Sequence, residues 1–155
     1  MKKQFLVILF AIVVSVCKSQ QAINKQIALI PQPASLSQGS GVFLLPAELI
    51  IIVPQNDELK KIASGLAKQL AIASKKLTIQ EGNTPSPNTI FLSLSNDSNI
   101  PKEGYSLKVT TTGVTLTARE PAGIFYGVQT LLQLLPKQIE TKEPLKSVVE
   151  WSIPV

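Results

Sequence analysis

The chain has 155 residues, 15 of them basic and 10 acidic, with no histidine and one cysteine. The missing histidine rules out a Ser-His-Asp triad, a Cys-His dyad and a His-ligated metal, and a lone Cys17 rules out a disulfide or thiolate cluster. Of the formal +5 charge, Lys2, Lys3 and Lys18 belong to a leader; the remaining 12 basic residues against 10 acidic ones leave no basic nucleic-acid-binding face.

The leader comes first. Met1-Lys2-Lys3 is a positive start, and Phe5 to Val16 is an almost unbroken apolar run. That run is short of the ~20 residues a spanning helix needs, so residues 1–19 read as a signal peptide. Cleavage after Ser19 would leave 136 residues, enough for one modest core but too few for a catalytic barrel of ~250. Alternatively, Val14-Ser15-Val16-Cys17 reads as a lipoprotein box with Cys17 acylated, although Val16 stands where such boxes carry a small residue. Either route implies export: to the periplasm, to the medium, or to the outer membrane as a lipoprotein. Membrane association is expected only through Cys17.

Residues 20–28 are polar and aperiodic, a tether. Leu29-Ile30-Pro31-Gln32-Pro33 is extended, because each proline fixes its own φ and pushes its predecessor out of the helical region. Val42 to Leu45 and Leu49 to Val53 are short strands, the second a continuous β-branched run suited to burial on both faces. Asn56-Asp57-Glu58 caps a helix whose apolar residues recur from Leu59 to Ala73, with Lys75 and Lys76 expected in its last turn. Leu77 to Ile79 and Thr89 to Leu94 are further strands. Asn96-Asp97-Ser98 matches a glycosylation sequon but reads as turn chemistry. Tyr105 to Val109 and Val114 to Ala118 alternate around a turn at 110–113, a hairpin. Pro121 opens and Pro136 stops a final helix over 122–135. The class is α+β or α/β: a mixed, mostly antiparallel sheet with two helices packed on it.

Residues 121–136 carry no charge. Opposite the apolar face of this last helix, Tyr126, Gln129, Thr130 and Gln133 fall at i, i+3, i+4 and i+7 as a neutral polar stripe. Such groups can be desolvated if each finds a hydrogen bond, whereas a lysine cannot. The stripe therefore reads as a domain interface, with a wet helix in a small domain as the plain alternative. Asp57-Glu58, the adjacent carboxylate pair, sits where a helix dipole wants acids, and helical neighbours point ~100° apart. It is no catalytic pair, and Arg119-Glu120 at a strand-to-helix junction reads as structural. No catalytic, cofactor or metal residue is assigned.

The run from Arg119 to Pro136, with Ala122-Gly123-Ile124-Phe125-Tyr126-Gly127-Val128-Gln129-Thr130-Leu131-Leu132-Gln133-Leu134 at its centre, resembles the end of the N-terminal non-catalytic domain of β-N-acetylhexosaminidases of glycoside hydrolase family 20. Ile30-Pro31-Gln32-Pro33 and Glu103-Gly104-Tyr105-Ser106-Leu107 agree in kind and order. The resemblance implies a zincin-like α/β domain over 29–150, with residues 151–155 starting a connector to a (β/α)8 barrel. It further implies that terminal N-acetylhexosamine is removed with retention by an Asp-Glu pair on that barrel, with the substrate's acetamido group as nucleophile. The partner implied is thus the barrel, with glycan reached only through it and no cofactor; this chain alone is expected to be inactive. Two other readings remain: the equivalent domain of a family 84 N-acetylglucosaminidase, and a stand-alone carbohydrate-binding or surface lipoprotein module. The second is weakened by a single tryptophan, Trp151.

Overall fold

The computed structural model describes residues 27–155; the leader, Cys17 and most of the tether lie outside them. Apolar runs become strands β1 (Val42–Leu44), β2 (Glu48–Val53), β3 (Lys76–Glu81), β4 (Thr89–Leu94), β5 (Tyr105–Thr110), β6 (Gly113–Ala118) and β7 (Ser152–Pro154). Helix α1 spans Asp57–Leu70 and α2 spans Pro121–Leu134, with a 3-10 turn at Lys137–Glu140. Five strands form one sheet in the order β3-β2-β4-β6-β5, while β1 and β7 pair as a separate ribbon.

The expected mixed sheet with two helices is present, but the expected predominance of antiparallel pairing is not. In the five-stranded sheet β2–β3, β2–β4 and β4–β6 are parallel and the β5–β6 hairpin alone is antiparallel. The reason is connectivity. Helix α1 is a crossover between β2 and β3, which makes those two parallel. The hairpin then inserts β6, not β5, beside β4, so β6 runs with β4 and β5 becomes the edge. Between β3 and β4 the chain must return from the level of Val53 to that of Ile50. It turns over Ile52 at Gly82, whose N–H donates to the Val53 carbonyl at 2.8 Å.

Both helices lie on one face of this sheet and touch each other. Toward them point Leu49, Ile51 and Val53 of β2, Ile90 and Leu92 of β4, and Val114, Leu116 and Ala118 of β6. Leu59, Ala63, Leu66 and Leu70 of α1 answer from above. Each fully buried Leu or Ile contributes about 1.5–3 kcal/mol of transfer free energy. On β2 the opposite face is closed too, with Ile52 buried, so its continuous apolar run has the two-sided cover it suggests.

One boundary differs from the sequence reading. Asn56 caps α1 as expected, its Oδ1 accepting from the Leu59 N–H at 3.0 Å. The helix stops at Leu70, however, where Ala73 and Ser74 both donate to the Leu70 carbonyl. Lys76 is drawn into the sheet instead, its N–H donating to Ala47 and its ammonium lying 3.5 Å from Glu48, so Lys68 holds the last helical turn. Residues 151–155, expected to start a connector, are themselves anchored in the fold. Strand β7 pairs with β1, Ile153 is fully buried beside Phe43, and Leu45 donates to the Trp151 carbonyl. The 96–98 segment is a turn, with the Asp97 carboxylate accepting from the Asn99 N–H.

Helix α2 approaches the sheet through two glycines one turn apart. A Cβ on Gly123 would collide with the Gly104 carbonyl oxygen and lie 2.8 Å from the Ala118 Cβ; one on Gly127 would collide with the Leu116 side chain. Gly65, on the outer side of α1, has nothing within 4 Å of such a Cβ. Gly123→Ala should therefore destabilise the chain by about 1–3 kcal/mol despite the better helix propensity of alanine, because backbone must move. Gly65→Ala should stabilise it by about 0.5–1 kcal/mol. Urea-unfolding midpoints of the two variants should shift in opposite directions.

Candidate domain interface

Glu120, extended and without a side-chain cap, leads into Pro121 at the first helical position of α2. Its carbonyl accepts from Gly123 and Ile124, and its carboxylate lies 3.6 Å from Lys102, the structural role expected of it. From there Gly123, Ile124, Gly127, Val128 and Leu131 turn to the sheet. Ala122, Phe125, Tyr126, Gln129 and Gln133 are left outward. Phe125 and Tyr126 are 50% and 47% exposed and stand edge to face, ring centroids 5.9 Å apart.

The four stripe residues separate. Tyr126 and Gln129 are on the open surface. Thr130 is drawn inward, its hydroxyl hydrogen-bonded to the Tyr105 hydroxyl of β5 at 2.5 Å. Gln133 faces outward, but both ends of its carboxamide are engaged by the backbone of Ile30, at 2.9 and 3.0 Å. Thr130 is thus a stitch between α2 and the sheet, not part of the outer face, because at 3.6 residues per turn it falls on the β5 side of the stripe. Phe125 was not picked out from the sequence; its signal was its place beside Tyr126, 100° around a helix whose inner face was already filled. Ile30, 82% exposed, borders the same surface. With Gln69 of α1, Gln129, Leu132, Gln133 and Glu140 it lines a groove of about 480 Å³ between the helices.

The neighbouring helix is different in kind. The outer side of α1 carries Asp57, Lys60, Lys61 and Lys68. Lys60 lies 2.6 Å from Glu81 and 4.0 Å from Asp57. The hydrogen bond to Glu81 holds the ammonium above its ordinary pKa. On the lysine side, the stabilisation is present at neutral pH and is lost as pH climbs through the raised value. Asp57 and Glu58 are exposed at the helix start, consistent with a dipole role. One helix thus shows water a charged face, the other an uncharged one rich in aromatic surface.

This arrangement can be set beside known proteins. Residues 26–153 match the model of glycosyl hydrolase family 20, domain 2. The chain belongs to that family. It corresponds to the N-terminal domain of family 20 proteins, whose catalytic barrel is a separate domain. The family 20 chain is 38% identical over 119 residues to the beta-hexosaminidase of Porphyromonas gingivalis (strain ATCC BAA-308 / W83), covering 76% of its own length and 15% of that protein. Among solved structures it resembles the GH20 beta-N-acetylhexosaminidase of Streptomyces coelicolor A3(2), with a TM-score of 0.68 and 30% identity over 79% of this chain and 24% of that one. The Streptomyces plicatus N-acetyl-beta-hexosaminidase, solved with Thio-NAglucal, gives 0.67 and 31% over 79% and 23%. The chain spans less than a quarter of the length of each of these relatives.

Two expectations follow for the family 20 domain. Thr130→Val should cost about 0.5–1.5 kcal/mol in urea unfolding by removing the Tyr105 bond. The double change Phe125→Ser and Tyr126→Ser, at an open surface, should move stability by no more than about 0.5 kcal/mol.

Proposed function

We propose that this chain is the supporting N-terminal domain of an exported β-N-acetylhexosaminidase that removes terminal N-acetylhexosamine residues from glycans. The outer face of α2 would lie against the catalytic barrel. Export is read from residues 1–19, with the periplasm or medium as destination, or the outer membrane if Cys17 is acylated. The observation that carries the reading is the uncharged face of Phe125, Tyr126 and Gln129, open to water yet free of the lysines that mark the outer side of α1. Covering such a face desolvates two aromatic rings and one amide, with no charge to strip of its water.

The chemistry would belong to the barrel. Several acidic groups stand in ion pairs or in the first turn of a helix, as with Glu81 on Lys60, Glu48 on Lys76 and Asp57-Glu58 in α1. The supporting role is therefore mechanical: a packed sheet and two helices giving a larger domain a fixed surface. The exposed edge-to-face ring pair also favours a second reading, a sugar-binding patch, since aromatic faces stack on pyranose rings.

Incubated with a chromogenic N-acetylglucosaminide, the purified chain should release no chromophore above the uncatalysed rate. Any cleavage above that rate would overturn the reading, and its survival in Asp57→Asn together with Glu58→Gln would place the site away from the start of α1. Titration with N-acetylglucosamine oligomers should leave the tyrosine fluorescence unchanged; saturable binding lost in the Phe125→Ser/Tyr126→Ser variant would establish the sugar-binding alternative.

A further inference from the structure

The arm ahead of β1 is tied to α2 by a side chain that behaves like a strand. The Gln133 Nε2 donates to the Ile30 carbonyl at 2.9 Å, and its Oε1 accepts from the Ile30 N–H at 3.0 Å. One planar carboxamide thereby offers the donor and acceptor that an opposing β residue would present. The two residues are 103 positions apart, so this is tertiary structure and not a local turn. Pro31 and Pro33 lack N–H groups, which leaves this stretch poor in donors for any other ladder. Apolar burial contributes little at the contact, since the Ile30 side chain is 82% exposed. At its far end the arm enters the β1–β7 ribbon through Gly39, whose N–H donates to the Val155 carbonyl at 2.7 Å.

We propose that residues 27–33 are a strap, latched along the edge of the α1–α2 groove by the Gln133 carboxamide, and that the latch selects between two surfaces. Closed, it consumes the Gln133 amide and adds the Ile30 side chain to a groove that already holds Leu132 and Ile139 beside its glutamines. Open, it withdraws Ile30 and returns a free carboxamide to the outer face of α2. The latch also fixes where the preceding segment leaves the domain: on the helical side, at the last turns of α2, and not on the opposite face of the sheet. The proposal concerns the arm alone and stands apart from what covers α2.

The test is amide hydrogen exchange at Ile30, read by NMR on the 155-residue chain. Gln133→Ala and Gln133→Met should each speed exchange about five- to tenfold, the loss expected for one net hydrogen bond. Gln133→Glu should speed it less at neutral pH, because a carboxylate still accepts from the Ile30 N–H and loses only the donation to its carbonyl. Gln129→Ala, one turn away, should leave Ile30 unchanged. Protection of Val128 and Leu131 reports on α2 itself. Should the alanine variant loosen the helix, the methionine variant, which keeps the side-chain length, decides. The proposal is overturned if Ile30 exchanges at the unprotected rate in the native chain, or if Gln133→Met retains native protection.

Discussion

The separation between α2 and the sheet is the constraint on which the remainder depends. Gly123 and Gly127 remove two side chains from the inner side of the helix, so its backbone sits against Gly104, Ala118 and Leu116. Close approach brings Ile124, Val128 and Leu131 into full contact with β4 and β6 and aligns Thr130 with Tyr105. A helix held so near the sheet has its rotation fixed, because turning it would drive a side chain into a backbone carbonyl. The glycines of the signature are therefore packing devices. They explain why a motif this specific marks a domain with no chemistry of its own assigned.

Fixing the rotation decides what faces out. With its inner side bound to the sheet, α2 has no freedom to hide Phe125 and Tyr126, and the rings stay half exposed. The two helices share one layer but differ in their relation to water. Helix α1 has the amphipathic form of a surface helix, lysines outward and leucines inward. Helix α2 has apolar or neutral residues all round.

Much of the fold was legible from local signals. Periodicity located β4, β5, β6 and α2 closely, and Asn56 and Pro121 marked the helix starts. Strand direction was not legible, because alternation and β-branching are the same in parallel and antiparallel ladders. Only the topology, with β6 rather than β5 beside β4, makes the sheet mostly parallel. The end of α1 was misplaced for a related reason: Lys75 and Lys76 fit a helix terminus electrostatically, but pairing with β2 claimed Lys76. The uncharged face was visible in the sequence as an absence of charge. Which of its members are spoken for was not, since the bonds from Thr130 to Tyr105 and from Gln133 to Ile30 join positions 25 and 103 residues apart.

The β1–β7 ribbon gives the domain a stiff exit. Gly39 and Gly41 grip Val155 from both sides, donating to its carbonyl and accepting from its N–H, while Ile153 is plugged beneath. Polypeptide joined beyond that point would begin from a clamped strand, its first direction aimed by hydrogen-bonded backbone and not by side chains.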